Sequence, residues 1–298
     1  MDDSALSARS ALAVVGLSGA VLRYAEVVRE DGALRLRRLG AVDFEADAEA
    51  ALFETGDPAA LADIEAALAE VLVGGPAETL VVAAHPSVTT TFFTPLPAGL
   101  DADAREVQLH QEAALLADVS PTQAVRVHAV PVRTERAGGG DREWYHSLHV
   151  PEAVHARLAR LAEAVGVPGY DLADATRAVA KILPPDGLAV AVGVYAAHTE
   201  VAVVRDGAFL FGTYGAGTTP ADTAYFALAA LQQVGAEAGE VGDLRTYGDA
   251  AGAERLSLLA EFVGAAPTPL DPFSPFGRRP AGGLDALAAF APVLGAAL

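Results

Sequence analysis

The residues in this chain whose types and spacing suggest chemistry are few and widely separated. Gly16-Leu17-Ser18-Gly19 interrupts an apolar run (AVVGLSGAV, 13–21). A glycine-rich turn between strands often cradles phosphate on backbone amides, yet this one holds neither an acid nor a lysine. A nucleophile elbow needs Gly-x-Ser-x-Gly at a strand-to-helix turn; here the last glycine is missing and a strand follows. A dinucleotide fingerprint needs a helix after its glycines, and none follows. Gly215-Ala216-Gly217 stands before a Thr219-Pro220 helix start, where free amides could hold an anion, although such glycines more often just turn the chain. His146 and His149 in REWYHSLHV fall on opposite faces of a strand; that is a poor metal pair, and both read as exposed strand histidines. His198 sits in a later turn, within reach of a bound phosphate or as ordinary turn chemistry. Trp144, Tyr145, Phe92 and Phe93 read first as core packing on alternating strands.

Composition narrows the field. The 298 residues carry a net charge of −19 and no cysteine, and Lys181 is the single lysine. Such a field repels nucleic acid. It reads as a solvated acidic surface, of the kind suited to high salt, or as a match for a basic partner. The lack of cysteine excludes disulfides and thiolate metal sites and fits a reducing cytoplasm. No apolar run reaches the roughly 18 residues of a membrane span, and MDDSALSARS lacks the order of a signal peptide.

The elements that would position these residues come in two copies. VVREDGALRLRRLGA (27–41) and VVRDGAFLFGTYGAG (203–217) share one grammar: apolar run, Arg, Asp-Gly, alternating strand. Asp-Gly accepts the positive φ angles of a tight hairpin. Another strand pair precedes each copy, so both halves begin with three antiparallel strands, with turns near 16–19 and 194–198. Asp57-Pro58 then opens the helix PAALADIEAALAEVL and Thr219-Pro220 opens PADTAYFALAALQQV. TLVVAA (79–84) and DLRTY (243–247) are the matching fourth strands, and a further helix follows at 250–263. The expectation is an α/β chain of duplicated β-β-β-α-β halves, 1–93 and 166–298, around an inserted α+β subdomain at 94–165. The insert holds a helix (DADAREVQLHQEAALLAD), two strands joined by a glycine-rich loop at 134–143, and a second helix (PEAVHARLARLAEAVG). A helix at 171–183 leads into the second half.

Two such halves with an insertion in the first resemble the actin-like, ribonuclease H-like fold. Within it the sequence resembles the PilM family, the actin-like component of type IV pilus and related type II secretion platforms. The resemblance covers nearly the whole chain. It rests on AEVVREDG, TFFTPLP, REVQLHQEAALLADVSPTQAVRVHAVPV, LHVPEAVHARLARLAEAVGVPGYDLADATRAVAKIL, VVRDGAFLFGTYGAG and the late LDPF. The insert resembles the small subdomain that PilM shares with the division protein FtsA.

The resemblance implies a nucleotide pocket, with Asp-x-Gly in each hairpin turn, the acid managing Mg²⁺ and the amides holding phosphate. This chain departs from that pattern. Gly16 or Ser18 stands at the first acid's place, beside Gly19; Gly193 and Tyr195 stand where the second Asp and Gly belong. The adenosine-side glycine pair is thinned to Thr246-Tyr247-Gly248-Asp249, and His198 borders the second turn. The expectation is therefore a degenerate pocket, with no cofactor beyond weak or vestigial ATP, no metal and no enzymatic turnover. The resemblance also implies a partner: the N-terminal cytosolic tail of a single-span inner-membrane protein, docked as an extended peptide between the first half and the insert. Phe92, Phe93, Thr94 and Leu96, with 118–132, correspond to the region bordering that groove. The protein would be cytoplasmic and peripheral to the inner membrane, with self-association left open. The rivals are an active ATPase or kinase of the same fold, which would need the missing carboxylates, and an FtsA-like polymer protein. The latter family ends in an amphipathic membrane helix, whereas DALAAFAPVLGAAL has no basic face.

Overall fold

The computed structural model describes residues 10–298 apart from 31, 73, 76, 117–124, 138, 139 and 278. The N-terminal segment read against a signal peptide, and 118–124 of the groove-bordering stretch, lie outside the described residues.

Three strands, β1 (Ser10–Ser18), β2 (Val21–Glu30) and β3 (Ala33–Asp43), run antiparallel, and β4 (Thr79–Ala84) lies parallel to β1. The chain then builds a separate sheet from β5 (Thr90–Pro97), β6 (Val125–Ala137) and β7 (Gly140–Pro151), in the order β5-β7-β6. It returns as β8 (Tyr170–Asp174), which completes the first sheet in the order β3-β2-β1-β4-β8. The second half repeats the plan. β9 (Leu188–Val194), β10 (His198–Arg205), β11 (Ala208–Ala216), β12 (Val241–Tyr247) and β13 (Pro267–Pro269) form a sheet in the order β11-β10-β9-β12-β13. Strand for strand the two orders are the same, with the first antiparallel triplet and the parallel fourth strand in matching places.

Local chemistry explains the repeated pieces. Asp206 (φ 51°) and Gly207 (φ 75°) form the β10–β11 turn with both residues left-handed, and the Asp206 carboxylate accepts from the Gly187 amide at 3.0 Å. Its counterpart has Gly32 at φ 78°, while Asp31 lies outside the described residues. The helix Pro220–Gln233 starts on a reciprocal capping box between Thr219 and Asp222. The helix Pro58–Leu72 turns Ile64 and Leu68 into the first core.

Each sheet has a helix-covered outer face. The first packs on Pro58–Leu72 and on Glu152–Ala164, through Leu158 and Leu161. The second packs on Pro220–Gln233 and on the short helix Ser257–Val263. The facing sides of the two sheets enclose the helices Ala175–Ala180 and Ala291–Ala296. These cross so closely that a Cβ on Gly295 would lie 2.0 Å from the Ala178 carbonyl oxygen.

Some local expectations shift. Residues 170–174 form β8 rather than the start of a helix, because the open edge of β4 offers them a ladder; Asp174 then caps the short helix by accepting from the Arg177 amide. The segment 134–143 is mostly hairpin, since β6 and β7 pair out to Ala137 and Gly140.

Candidate functional site

The first hairpin turn lies at the cleft between the halves. Gly19 adopts φ 55°, and its amide donates to the Glu49 carboxylate at 3.0 Å. Glu49 belongs to the helical stretch that begins at Ala48–Ala50 and widens into a π-helical turn, Ala51–Thr55. It is buried, and burial raises its pKa against the opposing pull of His85. The amide to which the resemblance assigned phosphate thus has a carboxylate of the chain itself as partner. Ser18 donates its hydroxyl to Asp249 at 3.1 Å, and Arg23 pairs with the same carboxylate at 2.5 Å. Both contacts join the first half to the end of β12. Gly16 lies within β1, where a Cβ would sit 3.0 Å from Val293 of the C-terminal helix.

The second turn is packed with rings. Tyr195 stacks on His198 with ring centroids 4.7 Å apart and meets the edge of His85 at 4.8 Å. His85 follows β4, whereas His198 and Glu200 begin β10, so the cluster spans the two halves. Glu200 is fully buried and accepts three hydrogen bonds: from His85 Nδ1 at 2.7 Å, from His198 Nε2 at 3.3 Å and from the Tyr247 hydroxyl at 3.0 Å. Burial opposes charge on both members of the His85–Glu200 pair. Their attraction outweighs it, lifting His85 to about 9 and holding Glu200 down to about 2. Burial pushes the Tyr195 and Tyr247 hydroxyls well above their ordinary range. Gly193 is small for a reason: a Cβ there would stand 2.5 Å from the Tyr247 ring. Gly248 turns at φ 93° against the backbone of Val194.

Ser18, Gly19, Tyr195, His198 and Gly248 therefore lie along the junction of the two halves, with Gly16 and Gly193 in the adjoining strands. The sequence did not single out His85, Glu200, Glu49, or Asp249 as an acceptor. Only a fold bringing four distant segments together reveals them. An acid two residues after a turn histidine (His198, Glu200) was the one local signal present.

The remaining candidates separate. Ahead of the helix Pro220–Gln233, the Asp222 carboxylate holds the Thr219 amide at 3.1 Å and would meet a Cβ on Gly217 at 2.7 Å, so an anion would confront an anion there. His146 and His149 do take opposite faces of β7, but both are buried rather than exposed. β7 is the middle strand of its sheet and covered on both sides: His146 packs on Phe93 and Phe209, His149 on Phe92. Phe92 and Phe93 both border a hollow of about 510 Å³ shared with Phe211 and Tyr214 of β11; Phe93 packs on Phe209 and Phe211 of the second half, whereas Phe92 turns to the other face of β5, against His149. Thr94 and Leu96 are buried, Leu96 against Leu109 and Tyr145. A second hollow, of about 420 Å³, lies between the first half and the inserted sheet. Leu12, Val81, His128, Val130, Asp174 and Lys181 are among its walls.

No protein-family model and no curated protein sequence matches this chain. Its fold does find counterparts. A structure described as the PilM–PilN type IV pilus biogenesis complex matches with a TM-score of 0.70 at 14% identity, over 96% of this chain and 97% of that one. A Bacteroides thetaiotaomicron protein of actin-like ATPase fold and unknown function matches with a TM-score of 0.51 at 11% identity, over 90% and 93%. A weaker likeness, TM-score 0.44 at 17% identity over 80% and 83%, is to the cytoplasmic domain of EpsL, an inner-membrane component of the Vibrio cholerae type II secretion system. The protein has the actin-like fold. Within that class its arrangement is of the PilM type.

Proposed function

We propose that this protein is a non-catalytic scaffold of a type IV pilus-like assembly platform, held at the inner face of a membrane by a single-span partner's N-terminal tail. The observation that carries this reading is a fold likeness to the PilM–PilN complex over nearly the whole chain, joined to a cleft filled by its own side chains. Fold alone does not assign function, so the cleft has to be weighed for itself.

The residues present do not fit Mg-ATP. Gly16 and Gly193 supply no carboxylate, and a longer side chain at either would strike Val293 or Tyr247. Ser18 is held by Asp249, and the Gly19 amide by Glu49. Tyr195, Tyr247, His85 and His198 crowd the second turn, and displacing Tyr247, His85 or His198 would break a hydrogen bond to the buried Glu200. No hydrolytic step is assigned to this cleft.

The tail would lie in the hollow between the first half and the inserted sheet. β8 and β6 are the outer strands of their sheets and both contribute to its walls, so each has backbone available for an added strand. The net charge of −19 favours encounter with a tail carrying Arg or Lys, while the hollow itself is mixed, with Arg29, Arg177 and Lys181 beside Asp171 and Asp174. Among the described residues no helix is long and apolar enough to cross a membrane. A pull-down with the cytosolic tails of single-span proteins encoded beside this one tests the reading. Capture of one tail supports it; capture of none overturns it, as does steady phosphate release from Mg-ATP for the non-catalytic part.

A further inference from the structure

We propose that His85, His198 and Glu200 form a binding site for one divalent transition-metal ion of the zinc class, joining the two halves at the base of the cleft. One imidazole follows β4 in the first half; the other imidazole and the carboxylate come from β10 in the second. Their donor atoms all lie within 4.8 Å of one another, and two of the three separations are 2.7 and 3.3 Å. Ligand atoms about 2.0–2.2 Å from a tetrahedral ion stand roughly 3.3–3.6 Å apart, so movements of a fraction of an ångström to about 1 Å admit the ion, which takes the place of the proton between His85 Nδ1 and Glu200 and releases it to solvent.

The surroundings point the same way. All three side chains are buried, at 3%, 8% and 0% exposure, which removes competition from bulk water. Tyr247 donates to the other oxygen of Glu200, the kind of outer contact that orients a ligating carboxylate. Glu49 faces the field of His85, His198 and Glu200, and its Oε1 is buried without a hydrogen-bond partner. Tyr195, whose ring packs on both imidazoles, likewise has an unpartnered hydroxyl. Unsatisfied buried oxygens are costly, and a cation held nearby reduces that cost through its field. Two imidazoles and a carboxylate suit Zn²⁺, Co²⁺ or Ni²⁺ and disfavour Mg²⁺, which prefers oxygen and water. This site would stand in the cleft without nucleotide and is independent of the tail-binding proposal.

The test uses the full chain stripped with a chelator. Co²⁺ is followed by its visible absorption and Zn²⁺ by calorimetry. The expected result is one equivalent bound, with intense four- or five-coordinate Co²⁺ bands that Zn²⁺ abolishes and a higher melting temperature with Zn²⁺. Glu200→Gln and His198→Gln should lose the bands, and Tyr247→Phe should weaken Zn²⁺ binding about 10–100-fold. The Co²⁺ spectrum of the unmutated chain decides the matter even if a variant fails to fold. Faint six-coordinate bands, several weak equivalents of surface type, or equal binding by well-folded His198→Gln would overturn the proposal.

Discussion

Tyr247 donates to Glu200 and its ring covers Gly193, so two substitutions separate these roles. Tyr247→Phe keeps the ring and leaves a buried carboxylate oxygen without its donor. The expected loss is about 1–3 kcal/mol in urea unfolding, with unchanged secondary structure by circular dichroism. Gly193→Asp restores an acid in name only, because its Cβ meets the ring. The outcome expected is a lower melting temperature and no rise on adding Mg-ATP. His149 supplies a pH dependence. The unfolded chain protonates it near 6.5, whereas burial, with a smaller push from His110, holds the folded value down to about 4. Between those values the unfolded state binds more protons, so the His149 contribution lowers stability as pH drops from 6.5 towards 4 and levels off below, where the loss at Glu200 continues towards about 2. His146, also lowered by burial, adds to the fall. Melting temperatures across this window should drop for the natural protein and drop less for His149→Gln; parallel curves would remove His149 from the explanation.

At the scale of elements, the close crossing of Ala175–Ala180 with Ala291–Ala296 makes Gly295 critical. Gly295→Ala places a methyl 2.0 Å from the Ala178 carbonyl and forces the helices apart. Overpacking of this kind costs about 1–3 kcal/mol or more, measurable as a shift of the urea midpoint at constant slope. An unchanged midpoint would show that the crossing relaxes freely. Elements fixed by local chemistry were legible in the sequence. Asp206-Gly207, the Thr219 cap and the Pro58 helix start each carry their own signal, and the duplicated triplets follow from them. What escaped depends on neighbours remote in sequence. YDLAD reads as helix until β4 offers its edge, and His146 and His149 read as exposed until Phe92, Phe93 and Phe209 cover them. His85 and Glu200 were invisible for the same reason, being 115 positions apart. We propose drawing the inserted unit at 90–151 rather than 94–165, since β5 belongs to its sheet and Glu152–Ala164 packs into the first core.

For the whole molecule, the two halves meet across the enclosed helices and across the cleft contacts His85–Glu200, Ser18–Asp249 and Arg23–Asp249. Because the chain's own groups bridge the halves, we propose that nucleotide is not needed to hold them together and that partner binding does not depend on it. An extended tail loses conformational entropy on docking, so its affinity should be moderate, about micromolar. The most direct measurement is calorimetric titration of a synthetic N-terminal tail from a neighbouring single-span membrane protein, run with and without Mg-ATP. One tail bound per chain at about micromolar affinity, the same in both runs, is the expected result. Binding that appears only with Mg-ATP, or no binding by any neighbouring tail, would contradict it.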